Sequence, residues 1–325
     1  VKMFDETLLS FEIDINRMPL GKISKSQLQK GYGILERLEK VLKGEEEESL
    51  SFLSNTFYSL IPHDFGFKKP PIIRTTEELQ RKYDLLQTLG DIEVATQLMG
   101  KVNDAKHALD VKYDSLDNEI EAIEHDTDEW NRIITFLNNT AQYGQKFVVE
   151  EIYKVDRKGE KERFTKYDSL DNRKLLWHGS RVAVFASILN GGLKIMPHSG
   201  GRVGRGLYFA DIISKSAAYC DYASNKPRLV LLNEVALGRI HIINRDDSSL
   251  VRAPHGFDSV LAEGKAMPDP SLDHTDYTLS HSGHPVIIPQ GKVIKKPITS
   301  TFDHNEFLVY DAEQVRMRYL LKMRW

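Results

Sequence analysis

Three polar residues in the second half of the chain stand where an apolar segment meets a polar one. His178 follows the apolar run 175–177, Tyr208 lies inside the segment 206–211, and Glu306 opens an apolar run. An imidazole, a phenol and a carboxylate all hold or orient substrates through hydrogen bonds. Each position also has a commoner structural explanation when taken alone: a histidine at a strand end, an aromatic ring packed on its sheet, or a solvent-facing carboxylate.

A second polar group lies in the segment 214–219. A helix is predicted over residues 212–222, and residues three and four apart on a helix share one face. Lys215, Ser216 and Tyr219 therefore present an ammonium, a hydroxyl and a ring on one side of that helix. The structural alternative is an aromatic side chain that packs against its own sheet.

The glycine-rich segment 200–206 does not match a phosphate-binding motif. It lacks the G-x-G-x-x-G spacing and leads into a strand rather than a helix, which argues against a Rossmann phosphate turn. The P-loop, H-E-x-x-H and G-x-S-x-G motifs are absent as well. His281 and His284 stand beside glycine and proline with no cysteine nearby, so we predict a loop there and no metal site.

Composition argues against several function classes. No apolar run approaches the ~20 residues that a membrane-spanning helix needs. The net charge of −3, with both signs mixed along the chain, provides no positive stripe for gripping nucleic acid. The single cysteine, Cys220, cannot form an internal disulfide, which is typical of a reducing compartment, cytosol or nucleus.

The first hundred residues are predicted to form an all-helical domain. Residues 24–27 and 75–78 have capping-box spacing, and apolar residues recur at helical intervals after each of them. Glycine and proline break the helical pattern between residues 61 and 71, and the acidic run 45–48 is predicted to be a solvated loop. The predicted helices cover residues 28–42, 50–60 and 75–99.

Residues 101–325 are predicted to form a second domain of α+β class with a mixed, mainly antiparallel sheet. Residues 101–112 are predicted to be a linker, followed by helices over 113–123 and 130–137. From residue 147 the pattern changes to short strands with turns between them, without the regular alternation of a doubly wound fold. The predicted strands are 147–155, 174–177, 206–209, 229–235, 241–243, 286–288, 307–310 and 319–322, with helices near 182–189 and 212–222.

These motifs, in this order, resemble the poly(ADP-ribose) polymerase family. The segments 178–180, 206–211, 214–219 and 305–306 are similar to its NAD-binding and catalytic signatures. Upstream, the segments 18–22, 61–66 and 91–94 resemble the helical regulatory domain of the family's DNA-damage-dependent group. The segment 196–204 resembles the short donor loop of the third paralogue in that group.

The resemblance implies an enzyme, an ADP-ribosyltransferase that uses NAD+ as a substrate and needs no metal. Nicotinamide leaves, and ADP-ribose passes to protein side chains, including those of the enzyme itself, with DNA ends as a further acceptor class. The residues implied to be catalytic are Glu306, His178, Tyr208 and Lys215. Among them, Glu306 is implied to stabilise the developing cation and orient the acceptor, and Lys215 to hold Glu306. The residues implied to bind NAD+ are His178, Gly179, Ser180, Tyr208, Ser216 and Tyr219.

The resemblance also implies regulation and partners. The helix over 75–99 would cover the NAD+ pocket, with Asp84, Gln87 or Asp91 near its mouth, until damaged DNA is read by an N-terminal domain outside this chain. A nuclear location, no membrane association and an accessory protein that completes the acceptor site are expected. The short donor loop favours mono-ADP-ribosylation over polymer. The alternatives are a non-catalytic NAD-binding scaffold and an NAD+ glycohydrolase.

Overall fold

The computed structural model describes residues 11–14, 16–17, 24–100, 108–195, 201–220, 227–280 and 282–325. Over these residues the chain divides into two compact units, one reaching Leu116 and the other beginning at Asp117. Some of the residues for which the sequence makes predictions lie outside the described part of the chain, namely 18–22, 101–107, 196–200, 221–222 and 281. No helix within it combines the length and the apolar character that crossing a membrane requires.

The first unit is helical, as predicted. Its helices are α1 (Lys25–Leu42), α2 (Leu50–Leu60), α3 (Thr76–Gly100) and α4 (Ala108–Asp114). The predicted capping box forms at the start of α1, where the Ser24 hydroxyl accepts from the Gln27 backbone and the Gln27 side chain accepts from the Ser24 backbone. Thr75 and Glu78 make the same reciprocal pair before α3.

Two predictions at the end of this unit are wrong. Residues 108–112 belong to α4 rather than to a linker. The helix predicted over 113–123 is replaced after residue 114 by a strand at 118–122. Asp117 adopts a φ of +49°, a left-handed conformation that a continuing α-helix cannot contain. Ile120 then pairs with Val155 across an antiparallel ladder, so tertiary pairing overrides the local helical spacing.

The second unit is mixed α+β, as predicted. Its helices are α5 (Asp128–Thr140), α6 (Glu160–Phe164), α7 (Phe185–Gly191) and α8 (Ile213–Ala217). Its strands are β1 (Asn118–Ala122), β2 (Val148–Arg157), β3 (Arg173–Gly179), β4 (Leu207–Phe209), β5 (Arg228–Ala236), β6 (Ile240–Ile243), β7 (Ser259–Ala262), β8 (Gly264–Pro268), β9 (His274–Asp276), β10 (Val286–Ile288), β11 (Val293–Lys295), β12 (Phe302–His304), β13 (Glu306–Val309) and β14 (Val315–Arg324).

A seven-stranded sheet with the order β1-β2-β14-β5-β3-β10-β9 forms the centre of the unit. Its neighbours run antiparallel except β3 and β10, which are parallel. One face packs against α5, where Trp130, Ile133 and Phe136 join a buried cluster that includes Trp177 of β3. Burying these apolar side chains stabilises the sheet and fixes β3, which carries the first candidate site residue at its end.

Two smaller sheets complete the unit. Strands β4-β13-β7-β6 form one, and β11-β8-β12 form the other. A backbone bridge between Trp177 and Ala210 joins the end of β4 to β3 of the large sheet. This bridge brings the carboxyl end of β3 beside β4 and its partner β13. His178, Tyr208 and Glu306, which these three strands carry, therefore lie in one region.

Candidate active site

His178 ends β3 and contacts β4. Its Nδ1 lies 2.9 Å from the backbone oxygen of Tyr208. A carbonyl oxygen only accepts, so Nδ1 carries the proton and Nε2 presents a lone pair. Burial lowers the pKa of His178, and the hydrogen bond to Tyr208 opposes that shift only in part. The ring is therefore neutral at physiological pH, and its Nε2 is an acceptor for a ligand hydroxyl.

The Tyr208 phenol holds the glycine-rich loop after residue 200. It donates to the Gly204 carbonyl at 2.8 Å and accepts from the Val203 backbone N–H at 3.1 Å. A Cβ on Gly201 would stand 2.2 Å from the phenol oxygen, so only glycine permits this approach. Burial raises the pKa of Tyr208, and the group stays neutral.

Lys215 and Glu306 form an ion pair at the start of β13. The Lys215 Nζ lies 2.7 Å from the Glu306 Oε1, and the Glu306 side chain is 7 % exposed. Burial acts to lower the pKa of Lys215, but the nearby Tyr219 phenol and the Glu306 carboxylate outweigh it, and the pKa is raised. The ammonium also lies 5.6 Å from the centre of the Tyr219 ring. Lys215 therefore keeps its charge and fixes one oxygen of Glu306.

Gly179 lies against the backbone of α8. A Cβ added at Gly179 would stand 2.0 Å from the Ser216 carbonyl oxygen, so no side chain fits there. Ser216 is buried, whereas Tyr219 is 59 % exposed. Glycine at this position therefore lets the end of β3 approach α8 closely and brings the backbone of Gly179 beside Ser216. Ser180 follows directly and is partly exposed.

The helix predicted over 212–222 is shorter than expected. It ends at Ala217, and the next two residues continue as a turn in which Tyr219 N–H donates to Ser216 and Cys220 N–H donates to Ala217. The turn still places Tyr219 beside Lys215. Lys215, Ser216 and Tyr219 therefore remain close together, as predicted, although the helix is shorter.

Strand register places the carboxylate and the phenol on adjacent strands. Tyr208 of β4 pairs with Leu308 of β13, two residues from Glu306. Residues two apart on a strand point to the same face of the sheet, and residues directly opposite share a face as well. Tyr208 and Glu306 therefore lie on one face, with His178 attached to the backbone of Tyr208.

Two buried residues of this region were not predicted to act in it. Asn305 Nδ2 donates to Asp211 Oδ2 at 2.8 Å, and both residues are at least 97 % buried. Burial raises the pKa of Asp211 to about 7. Asp211 belongs to the segment 206–211 and Asn305 to the segment 305–306, both of which carry the family resemblance. The two residues are 94 positions apart, and nothing in the sequence pattern indicates that they form a hydrogen bond.

His304 is a further residue of this region that the sequence did not single out. It is half-buried, and its Nε2 lies 2.6 Å from Gln142 Oε1 and 3.1 Å from the Tyr143 hydroxyl. Burial and the Lys215 charge lower the pKa of His304, whereas Asp303 and Glu306 act to raise it. The charges of Lys215 and Glu306 therefore both act on the pKa of His304.

No group of three or more potential metal ligands is arranged to hold an ion within the ranges that the structure covers. His284 is described and His281 is not. Of the segment 196–204, which resembles a short donor loop, residues 201–204 are described, and they form the turn that Tyr208 anchors.

Comparison with known proteins gives two family matches. Residues 127–325 match the poly(ADP-ribose) polymerase catalytic domain, and residues 1–113 match the poly(ADP-ribose) polymerase regulatory domain. The Homo sapiens protein mono-ADP-ribosyltransferase PARP3 is 43 % identical over 335 residues, which cover 99 % of this chain and 62 % of that protein. The Gallus gallus protein of the same name is 43 % identical over 332 residues, with coverage of 99 % and 62 %.

A second set of relatives is longer. The Danio rerio poly [ADP-ribose] polymerase 1 is 41 % identical over 337 residues, which cover 100 % of this chain and 32 % of that protein. The chain thus spans less than two thirds of the first relatives and about a third of this one.

Proposed function

Because the chain belongs to the poly(ADP-ribose) polymerase family, we propose that it cleaves the nicotinamide–ribose bond of NAD+ and transfers ADP-ribose to protein side chains. The observation that supports this most is the ion pair between the buried Glu306 and the partly buried Lys215, on the same sheet face as Tyr208 and beside the neutral ring of His178. NAD+ is the substrate and is consumed in each turnover.

Glu306 is proposed as the residue that acts on the reacting centre. The C–N bond to nicotinamide breaks with its electrons leaving on the ring nitrogen, and positive charge develops on the ribose. A carboxylate with one oxygen fixed by Lys215 at 2.7 Å has its other oxygen available to a ribose hydroxyl and to that charge. The acceptor oxygen or nitrogen then forms the new bond and releases its proton.

The remaining residues are proposed to hold the two ends of NAD+. Gly179 offers backbone N–H and C=O groups to the nicotinamide amide, with the Ser216 hydroxyl beside them. Tyr219 and Tyr208 are proposed to enclose the pyridinium ring, where a cation over an aromatic face contributes about 0.5–2 kcal/mol. The lone pair on His178 Nε2 accepts from an adenosine ribose hydroxyl, and Ser180 assists it.

Single transfer is proposed over polymer formation. The relatives at 43 % identity are named mono-ADP-ribosyltransferases, and the sequence of residues 196–204 resembles the short donor loop of the third paralogue. The polymerase 1 relatives at 41 % identity make elongation the competing outcome, which the length of the product on a gel decides.

The domain organisation and its regulation are proposed from the family match. Residues 1–100 form a helical regulatory domain and residues 101–325 the catalytic domain. The regulatory domain restrains NAD+ access until damaged DNA is bound elsewhere in the whole protein, which is proposed to act in the nucleus and with an accessory protein at its acceptor site. A chain that lacks residues 1–100 should show higher basal transfer; unchanged transfer would argue against restraint.

The deciding experiment uses labelled NAD+, with and without nicked DNA, followed by a denaturing gel. The wild type should become labelled, and Glu306→Gln should lose at least tenfold in transfer because one electrostatic or acid–base group contributes about 10²–10⁴ in rate. Glu313→Gln is a matched control, since Glu313 is a surface carboxylate paired with Lys166. Equal labelling of Glu306→Gln and wild type would refute the assignment.

A further inference from the structure

Asp211 and Asn305 form a second link between the two segments that carry Lys215 and Glu306. Asp211 lies four residues before Lys215, and Asn305 lies directly before Glu306. The Asn305–Asp211 hydrogen bond at 2.8 Å and the Lys215–Glu306 ion pair at 2.7 Å therefore close one ring of contacts. Displacing either segment strains both links together.

Asn305 is held from its other side as well. Its Oδ1 accepts from the Gly264 backbone N–H at 2.8 Å. A Cβ on Gly264 would stand 2.1 Å from the His304 carbonyl carbon, so the close approach of β8 to this junction depends on glycine. With Oδ1 occupied as an acceptor, the Nδ2 group is directed as a donor toward Asp211.

The second link is more deeply buried than the first. Asp211 and Asn305 are 3 % and 2 % exposed, whereas the Lys215 side chain is 25 % exposed. Because Asn305 directly precedes Glu306 in the chain, a shift of Asn305 also moves the backbone of Glu306.

We propose that Asp211 is a positioning residue, which fixes the Lys215–Glu306 pair through its hydrogen bond to Asn305. The inference rests on the proposed function of Glu306 and adds a residue to it. Positioning has a large effect on rate, because a misplacement of about 1 Å at a reacting centre can reduce turnover about a hundredfold.

The ionisation of Asp211 gives the positioning a pH dependence. Among the residues that the structure describes, its Oδ1 has no hydrogen-bond partner, and burial raises the pKa to about 7 against the opposing effects of Asn305, Lys174 and Lys296. These are the groups that face it: an amide from the β12–β13 junction, an ammonium on β3 and an ammonium after β11. The ionised form makes the stronger, charge-assisted bond to Asn305, so kcat should rise as pH rises through about 7.

The test compares Asp211→Asn with the double variant Asp211→Asn/Asn305→Asp. The single variant mimics the protonated carboxyl, so kcat should fall about tenfold, KM for NAD+ should stay within threefold, and the rise of kcat near pH 7 should disappear. The double variant exchanges donor and acceptor: the new amide at position 211 donates, while the new carboxylate at position 305 still accepts from the Gly264 N–H. It should recover to within about threefold of wild-type kcat.

Asp273→Asn is the matched control. Asp273 also has an unpartnered Oδ1 within the described region, and burial raises its pKa against the effect of Lys174, which also acts on Asp211. The described residues include no hydrogen bond or ion pair between Asp273 and the proposed site residues, so its kcat and pH profile should match the wild type. Three results would overturn the proposal: an unchanged kcat and pH profile in Asp211→Asn, a loss confined to KM, or a double variant that melts like the wild type without recovering kcat.

Glu306→Gln measured alongside separates this inference from the proposed function. If the wild type transfers ADP-ribose, Glu306→Gln is impaired and Asp211→Asn is not, only the positioning role of Asp211 fails. If the wild type releases no nicotinamide and labels no protein, the proposed function itself fails.

Discussion

Replacing Asp211 with asparagine should change how the stability of the second unit, which contains the proposed catalytic site and is called the catalytic unit below, depends on pH. In the folded chain the carboxyl has a pKa of about 7, against its ordinary value of 3.8. Between these two values the folded state holds a proton that the unfolded state has lost, so the free energy of unfolding of the wild type falls as pH rises. An amide does not titrate, so the variant lacks this loss.

The size of the effect follows from the rise in pKa. From 3.8 to about 7, at about 1.4 kcal/mol for each pH unit, the wild type loses about 4 kcal/mol. The unfolding free energy of Asp211→Asn minus that of the wild type should therefore grow by up to about 4 kcal/mol between pH 4 and pH 8. The new amide N–H has no partner at the position of Oδ1, which costs about 1–3 kcal/mol, but that cost is the same at every pH and cancels in the comparison.

Urea unfolding followed by tryptophan fluorescence measures the difference. The three tryptophans, Trp130, Trp177 and Trp325, all lie in the catalytic unit, so the signal reports on the unit that contains Asp211. The slope against urea should be the same in both proteins if only stability changes. A difference that stays constant from pH 4 to pH 8 would refute the assignment of a near-neutral, buried carboxyl to Asp211.

Three further predictions concern other residues of the fold. Gly179→Ala should lower stability by about 1–3 kcal/mol and raise KM for NAD+, because its Cβ meets the Ser216 carbonyl at 2.0 Å; unchanged thermal melting and KM would contradict it. Tyr208→Phe removes the acceptor of the Val203 N–H and one of the two donors to the Gly204 carbonyl, which keeps its bond from the Gly201 N–H, so a loss of about 1–3 kcal/mol is expected by urea unfolding. Burial lowers the pKa of Lys82 to about 8, so Lys82→Met should stabilise the helical unit by about 1–2 kcal/mol at pH 7. That gain should shrink as pH rises through 8 toward 10.5, where the wild-type fold no longer carries the charge; circular dichroism melts across that range measure it.

The long elements could be predicted because their signals are local. The capping residues Ser24 and Thr75 are recognisable from four adjacent positions, and they begin helices where expected. Strand β5 is an almost continuous apolar run, as expected for a central strand buried on both faces. In these cases one stretch of sequence contains the whole pattern.

Several of the short strands could not be predicted, because partners distant in sequence define them. Strands β8, β9, β11 and β12 have three to five residues each and include glycine, proline and charged side chains, so no alternation is visible. Strand β7 is apolar but only four residues long, and its pairing with β13 joins residues more than 40 positions apart. Strand β1 shows the same limit, since its helical spacing is overridden by pairing with β2.

The site shows the same division between local and distant signals. His178, Tyr208 and Glu306 stand in recognisable motifs, so the sequence alone could name them. The support behind them could not be named, because the Asp211–Asn305 bond depends on where β4 and β13 meet. His304 could not be placed beside the site for a related reason: its partners Tyr143 and Gln142 lie 161 and 162 positions away in the sequence.

The most direct test of the central claim is the ratio of nicotinamide released to ADP-ribose bound to protein, measured in one reaction with doubly labelled NAD+. Transfer predicts a ratio near one, with both products falling at least tenfold together in Glu306→Gln. Nicotinamide in large excess over bound ADP-ribose would instead show hydrolysis of NAD+ to water. Binding of NAD+ with neither product would show a non-catalytic scaffold, and either result would contradict the account.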